Sequence, residues 1–179
     1  QCSAKPFPGC LRIFAQVSGL SRLVRIPCRR GHSRLAHPDY VQGAFLLIPK
    51  STFERSGGFN EKFFLFGEDV DLCLRLRRAG LRIEYEPALS VTHHGGASSR
   101  DSLQRLAFFI TSCRYLYQLY RTPAQAGRLR ACIQAALAVR LCREIVLLPS
   151  DFQRRKKRIR GILRLMDAAA AGGPPPGPK

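Results

Sequence analysis

The stretch Phe63-Phe-Leu-Phe-Gly-Glu-Asp-Val-Asp-Leu72 decides how this 179-residue chain is read. An aromatic loop ends on Gly67, and a helix is predicted from about Asp69 to Ala79. The local signals agree. Glu68, Asp69 and Asp71 crowd the start, where the helix dipole favours negative charge. Arg75, Arg77 and Arg78 fill the last turns, and Gly80 is placed for the C′ position. Asp71 and Arg75 form an i,i+4 pair, and Leu72, Cys73 and Leu76 supply an apolar face. Carboxylates at a helix start can face a cleft. There one can act as general base for a hydroxyl nucleophile, or bind a divalent cation through oxygen. The same acids also suit an ordinary helix start, so spacing alone leaves both readings open.

Working outward, Tyr40 to Ile48 is an apolar run between Pro38 and Pro49 and reads as a buried strand. Ser51 to Ser56 reads as a short helix, with Ser51 as N-cap and Glu54 completing a capping box. Downstream, Leu81, Ile83 and Tyr85 alternate with charged residues, as a half-buried strand does. Leu89, Val91 and His93 share the parity of a second short strand. Parity turns His93 inward, as a metal ligand, a phosphate partner or a packed histidine. Gly95 and Gly96 let backbone N–H groups approach an anion.

The flanks differ from this centre. Residues 1–38 form a Pro- and Arg-rich lead-in with one helical pattern, broken by Gly19 and closed by Pro27. Helices are predicted over 102–120, 124–148 and 153–166. The Ala/Gly/Pro-rich residues 167–179 are expected to be a disordered tail.

Composition sharpens the division. Apolar content is 45% and charged content 23%, ordinary for a globular domain, but thirty Lys and Arg against twelve Asp and Glu give +18. Seven of the acids lie in residues 51–90, whereas residues 100–166 hold fifteen Arg and Lys against three acids. A carboxylate site therefore belongs in the middle, and an anion-facing surface in the C-terminal third. The run Arg154-Arg-Lys-Lys-Arg158 favours an anionic membrane surface. No nucleic-acid recognition pattern accompanies the charge, so no nucleic-acid partner is expected. No stretch of 18 uncharged apolar residues suggests a spanning helix. The seven cysteines include no CxxC pair and read as reduced structural thiols of a cytosolic protein.

Four segments in order carry a resemblance. They are Asp39-Tyr-Val-Gln-Gly-Ala44, Phe53-Glu-Arg-Ser-Gly-Gly-Phe-Asn60, the stretch from Phe63 to Gly80, and Val91-Thr-His-His-Gly-Gly-Ala-Ser98. Together, over residues 39–100, they resemble the second half of family 2 glycosyltransferases, most closely the rhamnosyltransferase-like branch. The resemblance implies an α/β fold: the acceptor-side, C-terminal half of a GT-A domain over 39–100, followed by a basic helical arm over 101–166. It implies inverting transfer of a sugar from a nucleotide-diphosphate sugar to an acceptor hydroxyl, in cell-surface polysaccharide or glycolipid synthesis. By position, Asp69 is the implied base and Glu68 its support or an acceptor ligand. Tyr40, Gln42, Gly43 and Asp71 are the implied substrate-binding residues. His93 is implied near the diphosphate and a divalent cation (Mg or Mn). A lipid-linked acceptor implies a cytoplasmic protein, peripheral at the inner membrane face. Tyr40 stands where the family often has Trp, which keeps an aromatic wall. Nothing in residues 1–38 supplies a nucleotide-binding half with its Asp-x-Asp motif, and the chain opens on Gln1, so a fragment inactive alone is expected. Asp69-Val-Asp71 matches the Glu-Asp motif and not that metal motif. The competing reading is a basic membrane-surface binding module without catalysis.

Overall fold

The computed structural model describes residues 3–21, 37–92, 102–146 and 152–171. Two units divide them: residues 3–8 with 37–92, and residues 9–21 with 102–146 and 152–171.

In the first unit, strand β1 (Ala4–Lys5) pairs antiparallel with β2 (Tyr40–Val41), Ala4 opposite Val41 and Lys5 opposite Tyr40. The Gln42 N–H donates to the Ser3 carbonyl at 3.0 Å and extends the ladder by one bond. Asp39 braces this edge. Its Oδ2 accepts from the Phe7 N–H at 2.9 Å, and its Oδ1 pairs with Arg77. The strand predicted to reach Ile48 stops at Val41, because no further ladder partner exists among the described residues. Beyond it Phe45 and Leu47 stand exposed. Residues 81–92 likewise hold only a single bridge position at Tyr85, not the two predicted strands. The expected α/β sheet is thus reduced to two short strands among the described residues.

Helix α2 (Lys50–Arg55) takes Pro49 as its N-cap, not Ser51. Proline is preset for a helix entry, and the Pro49 carbonyl accepts from the N–H groups of Thr52 and Phe53 at 2.9 and 3.0 Å. Ser51 and Glu54 therefore sit inside the helix, and Glu54 faces Lys50 at 3.7 Å instead. A Schellman turn closes α2: Gly57 N–H to Glu54 and Gly58 N–H to Phe53, with φ of +78° and +67° at the two glycines. Helix α3 (Glu68–Arg78) ends in the same way at Gly80, φ +83°, through bonds to Arg77 and Leu76. It packs on β2 and buries Val70, Leu72, Cys73 and Leu76.

The second unit is helical: α1 (Cys10–Ser18), α4 (Ser102–Tyr120), α5 (Pro123–Val146) and α6 (Phe152–Ala171). The central α5 contacts the other three helices. Ile13, Val17, Leu116, Leu129, Ile133, Leu137 and Ile162 are all fully buried between them. Helix α5 opens on a reciprocal capping box: the Gln125 N–H donates to Thr122 Oγ1 and the Thr122 N–H to Gln125 Oε1, with Pro123 at the first position. Two arginines embedded in the apolar α5 pattern also have a structural use. Arg140 donates to the Val17 carbonyl at 3.0 Å and Arg143 to that of Ser18 at 2.8 Å, so cations satisfy the carbonyl end of α1. The Cys132 thiol donates to the Cys10 carbonyl at 3.3 Å. Helix α6 runs through Ala171, past the tail boundary expected at residue 167. Alanine is the strongest helix former and the Arg114 guanidinium holds the Ala168 carbonyl, so composition alone misplaced that end. Residues 172–179 lie outside the described residues. Among the described residues, no helix is long and apolar enough to cross a membrane.

Candidate active site

The three acids of Glu68-Asp-Val-Asp71 have three different environments. The chain enters α3 through two consecutive left-handed residues, Phe66 at φ +68° and Gly67 at φ +91°. Glycine adopts that conformation freely, whereas phenylalanine does so at a cost. This entry sets Glu68, Asp69 and Asp71 in the first turn of the helix.

Asp69 is half-buried and engages the segment after β2. Its Oδ2 accepts from the Gly43 N–H at 2.9 Å, and its Oδ1 from the Val70 N–H at 2.8 Å. The backbone lies close here: a Cβ placed on Gly43 would stand 3.4 Å from the Asp69 Cβ. Both oxygens are oriented by backbone donors, yet Gly43 is solvent-exposed, so the carboxylate lies at a surface and not in the core. Gln42 precedes it, half-buried, and Tyr40 is buried on β2 at 7% exposure.

Glu68 is half-buried, but its Oε2 is sealed from solvent and has no hydrogen-bond partner. Burial pushes its carboxyl above the usual range. A backbone hydrogen bond at Glu68 opposes that rise and the Asp69 charge adds to it. An acceptor oxygen without a donor is costly, and a protonated carboxyl loses much of that cost.

Asp71, implied as a substrate ligand, is turned to the core at 1% exposure. Its Oδ2 accepts from Arg75 Nε at 2.8 Å. Arg75 reaches on to the carbonyls of Gly58, at 2.6 Å, and Ser56. The pair therefore holds the turn after α2 against α3 and offers no open carboxylate.

The structure thus brings Gly43 to Asp69, places Tyr40 on the adjoining strand and Gln42 just after it, and turns Asp71 away. His93 lies outside the described residues. Two supports escaped the sequence reading. Asp39 as a brace had a signal, an acid just before a strand with Arg77 unpaired on its own helix. The sealed Glu68 oxygen had none. Among the described residues, no group of three or more His, Cys, Asp or Glu side chains could hold a metal ion. These residues alone do not make up a divalent-cation site.

Comparison with known proteins follows the same segment. Residues 24–108 match the family described as "Glycosyltransferase like family 2". The resemblance read from residues 39–100 is borne out there, and this segment is glycosyltransferase-like. The relatives include rhamnosyltransferase WbbL of Escherichia coli K12, 42% identical over 63 residues, which are 35% of this chain and 24% of that protein. The N-acetylglucosaminyl-diphospho-decaprenol L-rhamnosyltransferase of Mycobacterium tuberculosis is 42% identical over 69 residues, 38% of this chain and 22% of that protein. The pre-mycofactocin glycosyltransferase of the same species is 43% identical over 71 residues, 40% of this chain and 15% of that protein. The matches thus cover about a quarter or less of these curated relatives' length. No solved structure matches the chain significantly.

Proposed function

We propose that this chain supplies the acceptor side of an inverting family 2 glycosyltransferase, the C-terminal half of a GT-A domain followed by a basic helical arm. The observation that carries the reading is the Asp69 carboxylate, oriented at a surface by the Gly43 N–H inside the matched segment. In the reaction, Asp69 takes the proton of the acceptor hydroxyl. The acceptor oxygen bonds the anomeric carbon of a nucleotide-diphosphate sugar. The bond from that carbon to the diphosphate oxygen breaks, and its electron pair leaves with the nucleotide diphosphate. Two backbone donors fix the carboxylate, so it needs no reorganisation as charge develops.

Glu68 supports this base. Its Oε2 is sealed from solvent beside Asp69, and burial pushes the Glu68 carboxyl above the usual carboxylate range. Gln42, Gly43 and Tyr40 line the acceptor side, and Asp71 acts through the turn it holds. A divalent cation (Mg or Mn) would draw ligands from outside the described residues, His93 among them, and no step is routed through it. The names of two relatives guide the substrate class: one is a rhamnosyltransferase acting on a decaprenol-linked diphosphosugar, the other works on pre-mycofactocin. The acceptor we favour is lipid-linked, met by a cytoplasmic protein at the inner membrane face.

The nucleotide-binding half is assigned to polypeptide beyond these residues. The test is nucleotide-sugar consumption by the 179-residue chain alone and by the same chain joined to the nucleotide-binding half of a family 2 relative. The chain alone should be inert and the joined protein active. Turnover by the chain alone would overturn this division of labour.

A further inference from the structure

The cationic run at the start of α6 divides once the helix is built. Arg155 donates to the Ile145 carbonyl and Arg158 pairs with Glu144, so both are spent on α5. Lys156 and Lys157 face solvent instead, and helical spacing carries that exposed face on through Arg160, Leu163 and Arg164. At 3.6 residues per turn these five fall within an arc of roughly 120°, about 12 Å long. The opposite side holds Ile162 at 0% and Ala169 at 2% exposure. No ion pair engages these four cations among the described residues. Asp167 is the acid on the same face, one turn beyond.

We propose that this face of α6 is the chain's contact with an anionic lipid surface. Charge complementarity commits it to an anionic partner. The apolar residue decides which kind. Leu163, 44% exposed, sits among the cations and can enter the boundary between headgroups and acyl chains, with the Lys and Arg stems lying alongside. The five residues include no aromatic side chain on which a nucleic-acid base could stack. The inference rests on the membrane-surface part of the reading above and is independent of the chemistry at Asp69.

Vesicle co-sedimentation tests it, with phosphatidylglycerol vesicles against phosphatidylcholine vesicles at low and high salt. The wild-type chain should bind the anionic vesicles, more weakly as salt rises, and ignore the neutral ones. Each neutralised cation should weaken binding about fivefold, so Lys156→Gln, Lys157→Gln, Arg160→Gln and Arg164→Gln together should cost a hundredfold or more, on the order of magnitude expected per surface charge. Leu163→Ala should cost a further several-fold. All five positions face solvent, and circular dichroism checks that the helices remain. A control set with the same charge change, Lys50→Gln, Arg55→Gln, Lys62→Gln and Arg82→Gln, should bind almost as wild type. Unchanged binding by the α6 set, or an equal loss in the control set, overturns the proposal. So does tighter binding of single-stranded nucleic acid that the α6 set abolishes. Transfer to a water-soluble acceptor, measured with the chain joined to a nucleotide-binding half, separates the two readings: full transfer by Asp69→Asn with vesicle binding intact removes the base and leaves this face standing.

Discussion

Replacing Arg75 with Met tests whether the Asp71–Arg75 pair is a structural clamp. The substitution keeps the aliphatic stem and removes the guanidinium that joins Asp71 to the Gly58 and Ser56 carbonyls. Removing one partner of a buried ion pair costs about 3–5 kcal/mol. The Asp71 side chain is 1% exposed and that of Arg75 27%, so water screens one member and the lower end applies. About 3 kcal/mol corresponds to roughly a hundredfold. Amide hydrogen exchange reads this locally, because exchange from α3 follows the opening free energy of that element. The α3 amides should exchange about 100-fold faster in Arg75→Met. Arg75→Lys keeps the charge without the fork and should recover only part of the protection. A double-mutant cycle with Asp71→Asn should return a coupling of about 2 kcal/mol. Exchange in α3 unchanged within about threefold would refute the clamp and return Asp71 to the pool of substrate ligands.

Gly19→Ala should destabilise the helical unit by about 2 kcal/mol, since an L-residue resists φ near +77° and its Cβ would stand 2.6 Å from the Arg143 guanidinium that holds Ser18; a thermal melt followed at 222 nm should fall by roughly 10 °C. Cys142 is exposed whereas Cys73 and Cys113 are buried, and burial pushes the Cys73 and Cys113 thiols up, so iodoacetamide with mass spectrometry should find native Cys142 modified before those two. Equal labelling of Cys113 would contradict the packing of α4. Glu68 has a folded-state carboxyl raised above its unfolded value, so the folded state binds the proton more tightly and stability is lost as pH rises from the unfolded value through the raised one. Glu68→Gln should therefore be more stable than wild type at neutral pH and lose that advantage below the unfolded value; urea titrations at both pH values check the sign.

The helices were legible because their signals are local. For α3, acids at the start, arginines at the end and Gly80 beyond agree without tertiary help. Helix α4 runs from Ser102 to Tyr120 as predicted. The strands were not legible to the same degree. Leu81, Leu89 and Val91 keep a strand's alternation, but a strand exists only against a partner, and these side chains stand exposed. The Ser51 capping box failed because Pro49, two residues earlier, already offered its carbonyl to the helix. Within the site, Asp71 facing Arg75 follows from i,i+4 spacing. The Asp69–Gly43 contact joins residues 26 apart and follows from no periodicity; the resemblance, not the spacing, put both in one site. The tail boundary failed for the opposite reason: a composition rule was applied where Ala168 to Ala171 continue a helix already begun.

The central claim is that Asp69 removes the acceptor proton. Release of nucleotide diphosphate, measured with saturating donor and acceptor for the chain joined to the nucleotide-binding half of a family 2 relative, tests it most directly. Loss of a general base costs about 100- to 10,000-fold, so Asp69→Asn should lose that much turnover while donor affinity stays unchanged. Asn keeps the side chain's shape and an oxygen for the Gly43 N–H, giving up only the bond accepted from the Val70 N–H, so the fold should survive. Full turnover by Asp69→Asn would contradict the account and remove the base from this residue.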